Sequence, residues 1–382
     1  MANHERNPLT AHQEFIANVL LPSVQAGSVI TKLEDMFESM VDCLIGEKTG
    51  LTIHLRSRGR SQQRAFDSEG AVIDTPNFQV REITFPGKTA AEAWKFTALL
   101  RILELSHEAL VTGTVMTKRD IYYRDPELFM TQAVVDRYVD DLAFTLGVER
   151  DALNVVAAAK GLVAGALLIT KRCGGVIDCT AESSGLLIPH VKEIRTCDFS
   201  GVQWVLVIEK EATFRTLSFT RYWKNSTSGN GILVTAKGYP DIQTRAFLKA
   251  VSTENPYLLI YGLFDFDPDG IGILSTYKHG SSALAHENRN LVIKNMRWLG
   301  VRSSDLLKDM ASSDEQGLLK LTPRDRRIAT LMLQKGVLQE HVEPEWRREL
   351  QVMLMLNIKA EIQVMSNRRS LEDYLDIQLR SR

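Results

Sequence analysis

The segment Thr117-Lys118-Arg119-Asp120-Ile121-Tyr122-Tyr123-Arg124-Asp125 sets a pair of phenols among cations. Farther along, two apolar runs each end in acid. Val205-Leu206-Val207-Ile208 runs into Glu209, and Leu258-Leu259-Ile260-Tyr261-Gly262-Leu263-Phe264 runs into Asp265-Phe266-Asp267. A phenol ordinarily ionises near pH ~10, so as a nucleophile it needs a neighbouring cation or a metal that polarises the phosphate. Arg119 stands one helical turn before Tyr123, on the same face. There its guanidinium can hold a phosphate oxygen and stabilise charge as it develops. Lys118 and Arg124 add local field. Carboxylates are hard oxygen ligands that suit magnesium, which keeps several waters and completes its shell with substrate phosphates. Two adjacent tyrosines alone more often pack and donate hydrogen bonds. A tyrosine nucleophile together with a divalent-metal site is equipment for breaking a phosphodiester and keeping the phosphate on the protein.

Both acidic groups need strands behind them. From Val202 the pattern alternates short apolar runs with helical stretches: Trp204–Ile208, Ile232–Thr235, Tyr257–Phe264 and Leu291–Met296 read as strands. This predicts an α/β domain with a mostly parallel sheet. Ligands in such a sheet sit beyond the carboxyl ends of the strands, so Glu209 and Asp265 with Asp267 can face one crevice. Asp265 to Gly270 also matches the first half of an EF-hand loop, but the twelfth position is Thr276, not glutamate, and a strand precedes it. The nucleophile strand of haloacid-dehalogenase phosphatases is a second partial match, spoiled by Asp269 where that family has Thr or Val. An acidic turn with no ligand is the plain alternative, weakened by Glu209 in the matching place.

The phenols need a helical scaffold. Residues 1–27 are expected to be weakly ordered. From Ser28, Ile30, Leu33, Phe37, Met40, Val41 and Leu44 recur at three- and four-residue steps, which predicts an amphipathic helix. Its stripe suits either a partner's groove or the chain's own core. The polar, basic stretch around Arg56, Arg58 and Arg60 makes 47–77 an expected mobile linker, with those arginines as candidate phosphate contacts. Thr89 and Glu92 form a capping box for a helix with Trp94, Ala98, Leu99, Ile102, Leu103 and Leu105 inward. A break at Val111–Thr114 follows, and Thr117 caps the short helix that holds the tyrosines. A third helix is expected over Leu128–Leu146. Three helices with a tight break before the second predict a helix-turn-helix, and Leu153–Ile169 reads as its wing.

Composition excludes several alternatives. The 382 residues suggest two or three domains, and 44% hydrophobic with 24% charged residues is ordinary for a globular protein. No apolar run approaches the roughly 20 residues of a membrane helix, and the first residues lack the apolar stretch of a secretory signal. Cys43, Cys173, Cys179 and Cys197 are too scattered for a disulfide framework, so reduced thiols in an intracellular protein are expected. A net charge of −1 argues against a protein basic all over, so any DNA contact must be a local positive groove on a neutral body. The chain has no P-loop, so it is not expected to hydrolyse ATP alone.

The Lys118–Tyr123 segment resembles the catalytic motif of the topoisomerase VI A-subunit family (type IIB), including its meiotic, sporulation-type relatives that make DNA double-strand breaks. Further matches are Ala159-Lys160-Gly161-Leu162-Val163-Ala164-Gly165, Val207–Phe214, Lys237-Gly238-Tyr239-Pro240-Asp241, Tyr277–Ser281 and Arg297-Trp298-Leu299-Gly300. The resemblance covers roughly Phe78 to Glu361, and motifs in this order are highly specific. It implies an N-terminal extension over 1–77, a winged-helix DNA-binding domain over 78–190, and a Toprim metal-binding domain with a helical tail over 195–382. It also implies Tyr123 as nucleophile beside Tyr122, and Glu209, Asp265 and Asp267 as Mg²⁺ ligands. Lys118, Arg119 and Lys160 would be DNA contacts. Implied partners are double-stranded DNA, a second copy of the chain forming composite active sites, a B-type transducer-like subunit, and other meiotic break factors. The implied location is the nucleus. Ala236 stands where many members have glycine, and Asp269, where many have an aromatic, could add a further acid to the metal shell. Three readings follow: a meiotic DNA transesterase, a true type IIB topoisomerase A subunit, or a catalytically silent DNA-binding scaffold.

Overall fold

The computed structural model describes residues 23–46, 50–58, 64–66, 72–74, 78–156, 159–280, 291–307, 317–334, 342–365 and 370–380. The chain forms two compact units, divided between Ala158 and Ala159. Among the described residues no helix is long and apolar enough to cross a membrane.

The first unit opens with α1 (Ser23–Ile45). Val29, Leu33, Met40 and Cys43 are buried, and Phe37 meets His107 edge-on at 5.9 Å between ring centres. Lys32 donates 2.8 Å to the carbonyl of Leu146 at a helix end, where a cation suits the exposed carbonyls. The stripe thus packs into the unit's own core. Only its last turn, Val41, Leu44 and Ile45, faces outward. Strand β1 (Leu51–Arg58) pairs antiparallel with β2 (Phe78–Phe85) over all eight residues. Arg64–Phe66 and Val72–Asp74 form a second antiparallel pair. Of the mobile linker expected over 47–77, the described residues Leu51–Arg58, Arg64–Phe66 and Val72–Asp74 are strands, and the rest, Gly50 apart, lies outside the described residues. The basic composition of the stretch hid an alternating strand with Ile53 and Leu55 buried. Arg60 and the side chain of Arg58 lie outside the described residues.

Helix α2 (Ala90–Thr112) starts at Thr89, which accepts from the amide of Glu92, and ends at Gly113 in a left-handed conformation with φ 68°. Glu92 reaches back to the amide of Lys88, one residue earlier than a standard box. Then come α3 (Lys118–Arg124) and α4 (Gln132–Leu146), separated by a turn of helix over Pro126–Phe129. The expected wing does not form as one piece. Val155–Val156 pairs parallel with Met116–Thr117, while Leu162–Gly165 joins the sheet of the second unit.

That sheet comprises β3 (Leu162–Gly165), β4 (Leu186–Leu187), β5 (Val202–Ile208), β6 (Asn230–Thr235), β7 (Leu259–Leu263) and β8 (Arg297–Gly300). Their order is β4-β3-β6-β5-β7-β8. Strands β5 to β8 run parallel, whereas β3 is antiparallel to β6 and β4 antiparallel to β3. The sheet is mixed around a parallel centre, as runs buried on both faces require there. The expected strand over Leu291–Met296 is instead a turn: Met296 donates to Ile293, and Ile293 to Tyr277. Its apolar residues face the core without pairing, and β8 starts one residue later. The tail is not wholly helical either. Ile358–Ala360, β9, lies between helices and pairs antiparallel with Leu318–Lys320. The last helix, Leu371–Arg380, buries Tyr374, Leu375 and Leu379. Asp376 on it accepts hydrogen bonds from Tyr222 at 2.8 Å and Ser226 at 2.7 Å.

Candidate active site

In the first unit, α3 is short but doubly fixed. Thr117 accepts from the amide of Asp120, and Asp120 in turn accepts a 2.8 Å bond from the Thr117 amide. Ile121 buries one face. On the same side Lys118 reaches α4, 2.5 Å from Asp140 and 3.1 Å from the carbonyl of Asp136. Burial, with Arg150 nearby, lowers the Lys118 pKa. Lys118 is therefore an anchor for α3, its ammonium paired with Asp140 on α4. Arg101 closes the other end by gripping Asp125 at 2.6 Å. The opposite face carries Arg119 and Tyr123, both exposed, Tyr123 at 65%. Neither makes a hydrogen bond or ion pair among the described residues. The Tyr122 ring, half-buried, lies 5.4 Å from that of Tyr123.

In the second unit, register does the positioning. Ile208 on β5 pairs with Leu263 on β7, so the two strands end level. Glu209 and Asp265 emerge together, and the Asp265 amide donates to Glu209 Oε2 at 2.9 Å. Asp267 caps helix α5 (Pro268–His279) by accepting 2.7 Å from the amide of Gly270. A Cβ on Gly270 would meet the carbonyl oxygen of Asp265 at 2.4 Å, so only glycine lets α5 start this close to the acids. From the far end of the chain, Ala360 exchanges two backbone bonds with Phe266, and the amide of Ile362 donates 2.8 Å to Asp265 Oδ1. Lys210 lies 3.1 Å from Asp265 Oδ2 and 3.0 Å from Glu361 Oε2. Lys160 donates to the carbonyl of Lys237 at 3.4 Å.

The charges in this cluster oppose one another. Burial, then the neighbouring Asp265, pushes Glu209 up to about 8. Burial pushes Asp267 up to about 6, offset in part by the Gly270 amide and reinforced by Asp265 and Asp269. Asp265 is also raised by burial, against the pull of the Ile362 amide and Lys210. Mutual repulsion among three partly or fully buried carboxylates is the donor chemistry a divalent cation relieves. Among the described residues, however, no three such groups converge into a ready-made metal cage. Their oxygens face internal amides and Lys210 instead. Asp269 is engaged by other partners: Arg324 binds it at 2.6 and 3.4 Å, and Tyr239 donates to it at 3.3 Å.

These raised values carry a pH signature. Both carboxyls hold protons more tightly in the folded chain than unfolded, so their contribution to stability is complete at pH ~4 and below and is lost as pH rises through about 6 and then about 8. In EDTA the melting temperature is expected to fall by several degrees across that window. A melting temperature flat from pH 4 to 8 would contradict the buried repulsion.

The sequence marks Tyr123, Arg119, Glu209, Asp265 and Asp267 as candidates but does not single out Lys210, which touches Asp265, or Glu361, which pairs with Lys210. Lys210 adjoins Glu209 in the chain, and that adjacency was its only signal. Glu361 follows a three-residue strand in the tail, and no local pattern marks it.

The family model for the Toprim domain of Spo11 and the topoisomerase 6 A subunit matches residues 204–379, and that described as "Type IIB DNA topoisomerase" matches 94–155. "Meiotic recombination protein rec12" of Schizosaccharomyces pombe is 41% identical over 285 residues, covering 75% of this chain and 76% of that protein. "Meiotic recombination protein SPO11" of Homo sapiens is 30% identical, with 92% and 85% covered. The A subunit of DNA topoisomerase 6 from Arabidopsis thaliana is 32% identical, with 89% and 77% covered. With two family models matched in order and relatives at this identity along most of their length, the chain belongs to the topoisomerase VI A-subunit/Spo11 family.

Proposed function

We propose that this protein is a DNA transesterase that makes meiotic double-strand breaks, leaving its tyrosine joined to the 5′ phosphate. The observation that carries the reading is the level ending of β5 and β7, which sets Glu209 against the Asp265 amide at 2.9 Å beyond the sheet. In the same chain an exposed Tyr123 stands one turn from an exposed Arg119.

In this reading the Tyr123 oxygen bonds to the phosphorus as it loses its proton to solvent or a nearby base, the bond from phosphorus to the 3′ oxygen of the neighbouring nucleotide breaks, and that oxygen takes up a proton from solvent. Arg119 holds a non-bridging oxygen of the same phosphate and stabilises its growing charge. Glu209, Asp265 and Asp267 would hold Mg²⁺, and when bound it supplies charge neutralisation at the phosphate and the departing oxygen. Asp269 takes no part, being tied to Arg324. The helix-turn-helix formed by α2, α3 and α4, with the β1–β2 pair beside it as the wing, carries the tyrosine to DNA. Lys160 and Arg119 contact the backbone. Two copies act together, the tyrosine of one served by the acids of the other, with a B-type partner and other break factors in the nucleus. The name of the Schizosaccharomyces pombe relative supports the meiotic role.

A direct test is to denature extracts of meiotic cells, digest the DNA and protein, and sequence the peptide that retains nucleotide. A 5′-phosphotyrosyl nucleotide on Tyr123 is expected; nucleotide on another residue, or none, would refute the assignment. The Arabidopsis thaliana relative's name favours a second reading, a topoisomerase A subunit that reseals its breaks. Relaxation of supercoiled DNA with a co-purified ATPase subunit would establish that one instead.

Arg119→Gln should weaken DNA binding and reduce the slope of log affinity against log salt by about 0.9, the share of one phosphate contact. Titration of a fluorescent duplex between low and physiological salt reads this directly. An unchanged slope would remove Arg119 from the phosphate.

A further inference from the structure

The acid cluster already holds a cation, and it belongs to the chain. The Lys210 ammonium lies 3.1 Å from Asp265 Oδ2, 3.0 Å from Glu361 Oε2 and 3.2 Å from Gln363 Oε1. An ammonium has three N–H donors, so these oxygens complete its shell. Lys210 and its two carboxylate partners are graded in depth. The Asp265 side chain is 7% exposed, Lys210 is 26% and Glu361 is 57%. Lys210 therefore spans the site from its buried floor to its open rim.

Two physical consequences follow from that position. Without Lys210, Asp265 would be a buried carboxylate beside Glu209 that has lost its ion-pair partner, an arrangement that burial and repulsion both disfavour. With Lys210 in place, one Asp265 oxygen faces its ammonium and the other accepts from the Ile362 amide, so each already has a partner. The same contact explains how the chain folds around repelling acids.

We propose that Lys210 is an internal counter-ion, which a divalent cation must displace from Asp265 and which then retreats to Glu361 and Gln363 on the rim. The proposal rests on the metal reading given above. No bond is made or broken, and the ammonium keeps its protons throughout. The long, flexible stem of lysine permits the shift, whereas a planar guanidinium would not leave as readily. Lys210 is thus a positioning residue that sets how readily the site loads.

The test uses the full chain and Mn²⁺, followed through the paramagnetic signal of the free ion. Lys210→Met is expected to bind Mn²⁺ about tenfold more tightly than the natural chain, the effect of removing one charged competitor. In EDTA the variant should melt earlier than the natural chain, and Mn²⁺ should raise its melting temperature by more. Equal Mn²⁺ affinity in the two proteins would overturn the proposal and leave the metal reading intact. Absence of Mn²⁺ binding in both would overturn the metal reading, and this proposal with it. A second measurement needs no variant. Lysine acylation, quantified by mass spectrometry, should mark Lys210 several-fold faster in Mg²⁺ than in EDTA. Lys171, paired with Glu193 elsewhere in the same unit, should react alike in both. A Lys210 rate unchanged by Mg²⁺ would overturn the displacement even if Lys210→Met failed to fold.

Discussion

Tyr123→Phe is expected to abolish the covalent protein–DNA adduct and leave the fold and DNA binding intact. The substitution deletes one oxygen from a ring that is 65% exposed. That oxygen has no hydrogen-bond partner among the described residues, so the change in stability should lie within about 0.5 kcal/mol. The helix beneath does not depend on it either. Its cap is Thr117 with Asp120, its buried contact is Ile121, and its anchor is Lys118 on Asp140. Adduct yield, by contrast, should fall by about three orders of magnitude or more, the scale seen when a nucleophile is removed. Tyr122→Phe serves as the control, because the half-buried Tyr122 ring packs towards the core. It should retain the adduct. Should Tyr122→Phe lose the adduct and Tyr123→Phe keep it, the two phenols would have to exchange roles.

How much of this could be read from sequence depended on the range of the interactions. The Thr117 cap and the one-turn spacing of Arg119 and Tyr123 are local, so α3 was legible down to its capping residue. Glu209 and Asp265 were legible because a buried parallel strand ends where its apolar run ends, and acids just beyond must emerge at one edge. Pairing at long range was not legible. The strand Leu51–Arg58 finds its partner at Phe78–Phe85, across a stretch whose charges suggested a linker. Leu162–Gly165 looked like a wing because it is a short apolar run soon after three helices; only its antiparallel pairing with Ile232–Thr235 assigns it to the other unit. The stripe of α1 could not name its own target, since an amphipathic face is the same whether a partner or the chain covers it. Asp269 illustrates the reverse case. The family resemblance offered it as a further ligand, but Arg324, distant in the chain, binds both of its oxygens.

Glu209→Gln should produce a protein that is more stable without metal and inactive with it. The new side chain would be isosteric and could still accept the Asp265 amide through its carbonyl, so the local backbone should hold. What disappears is the charge whose ionisation the folded site resists until about pH 8. At pH 8 in EDTA the variant should therefore melt several degrees above the natural chain, and at pH 4.5, the ordinary carboxyl value, the difference should vanish. Cleavage should drop by about a hundredfold or more, because charge developing on the phosphate loses the neutralisation that a bound cation provides. Asp265→Ala should also abolish cutting but behave differently in stability. It leaves the Ile362 amide without its acceptor and removes the buried partner of Lys210. The expected cost is about 1–3 kcal/mol, the range for orphaning a buried donor. A stabilised, inactive Glu209→Gln beside a destabilised, inactive Asp265→Ala separates the chemical role of the acids from their structural one. Full cleavage by Glu209→Gln at low Mg²⁺ would show that the carboxylate cluster serves the fold and that the catalytic charge lies elsewhere.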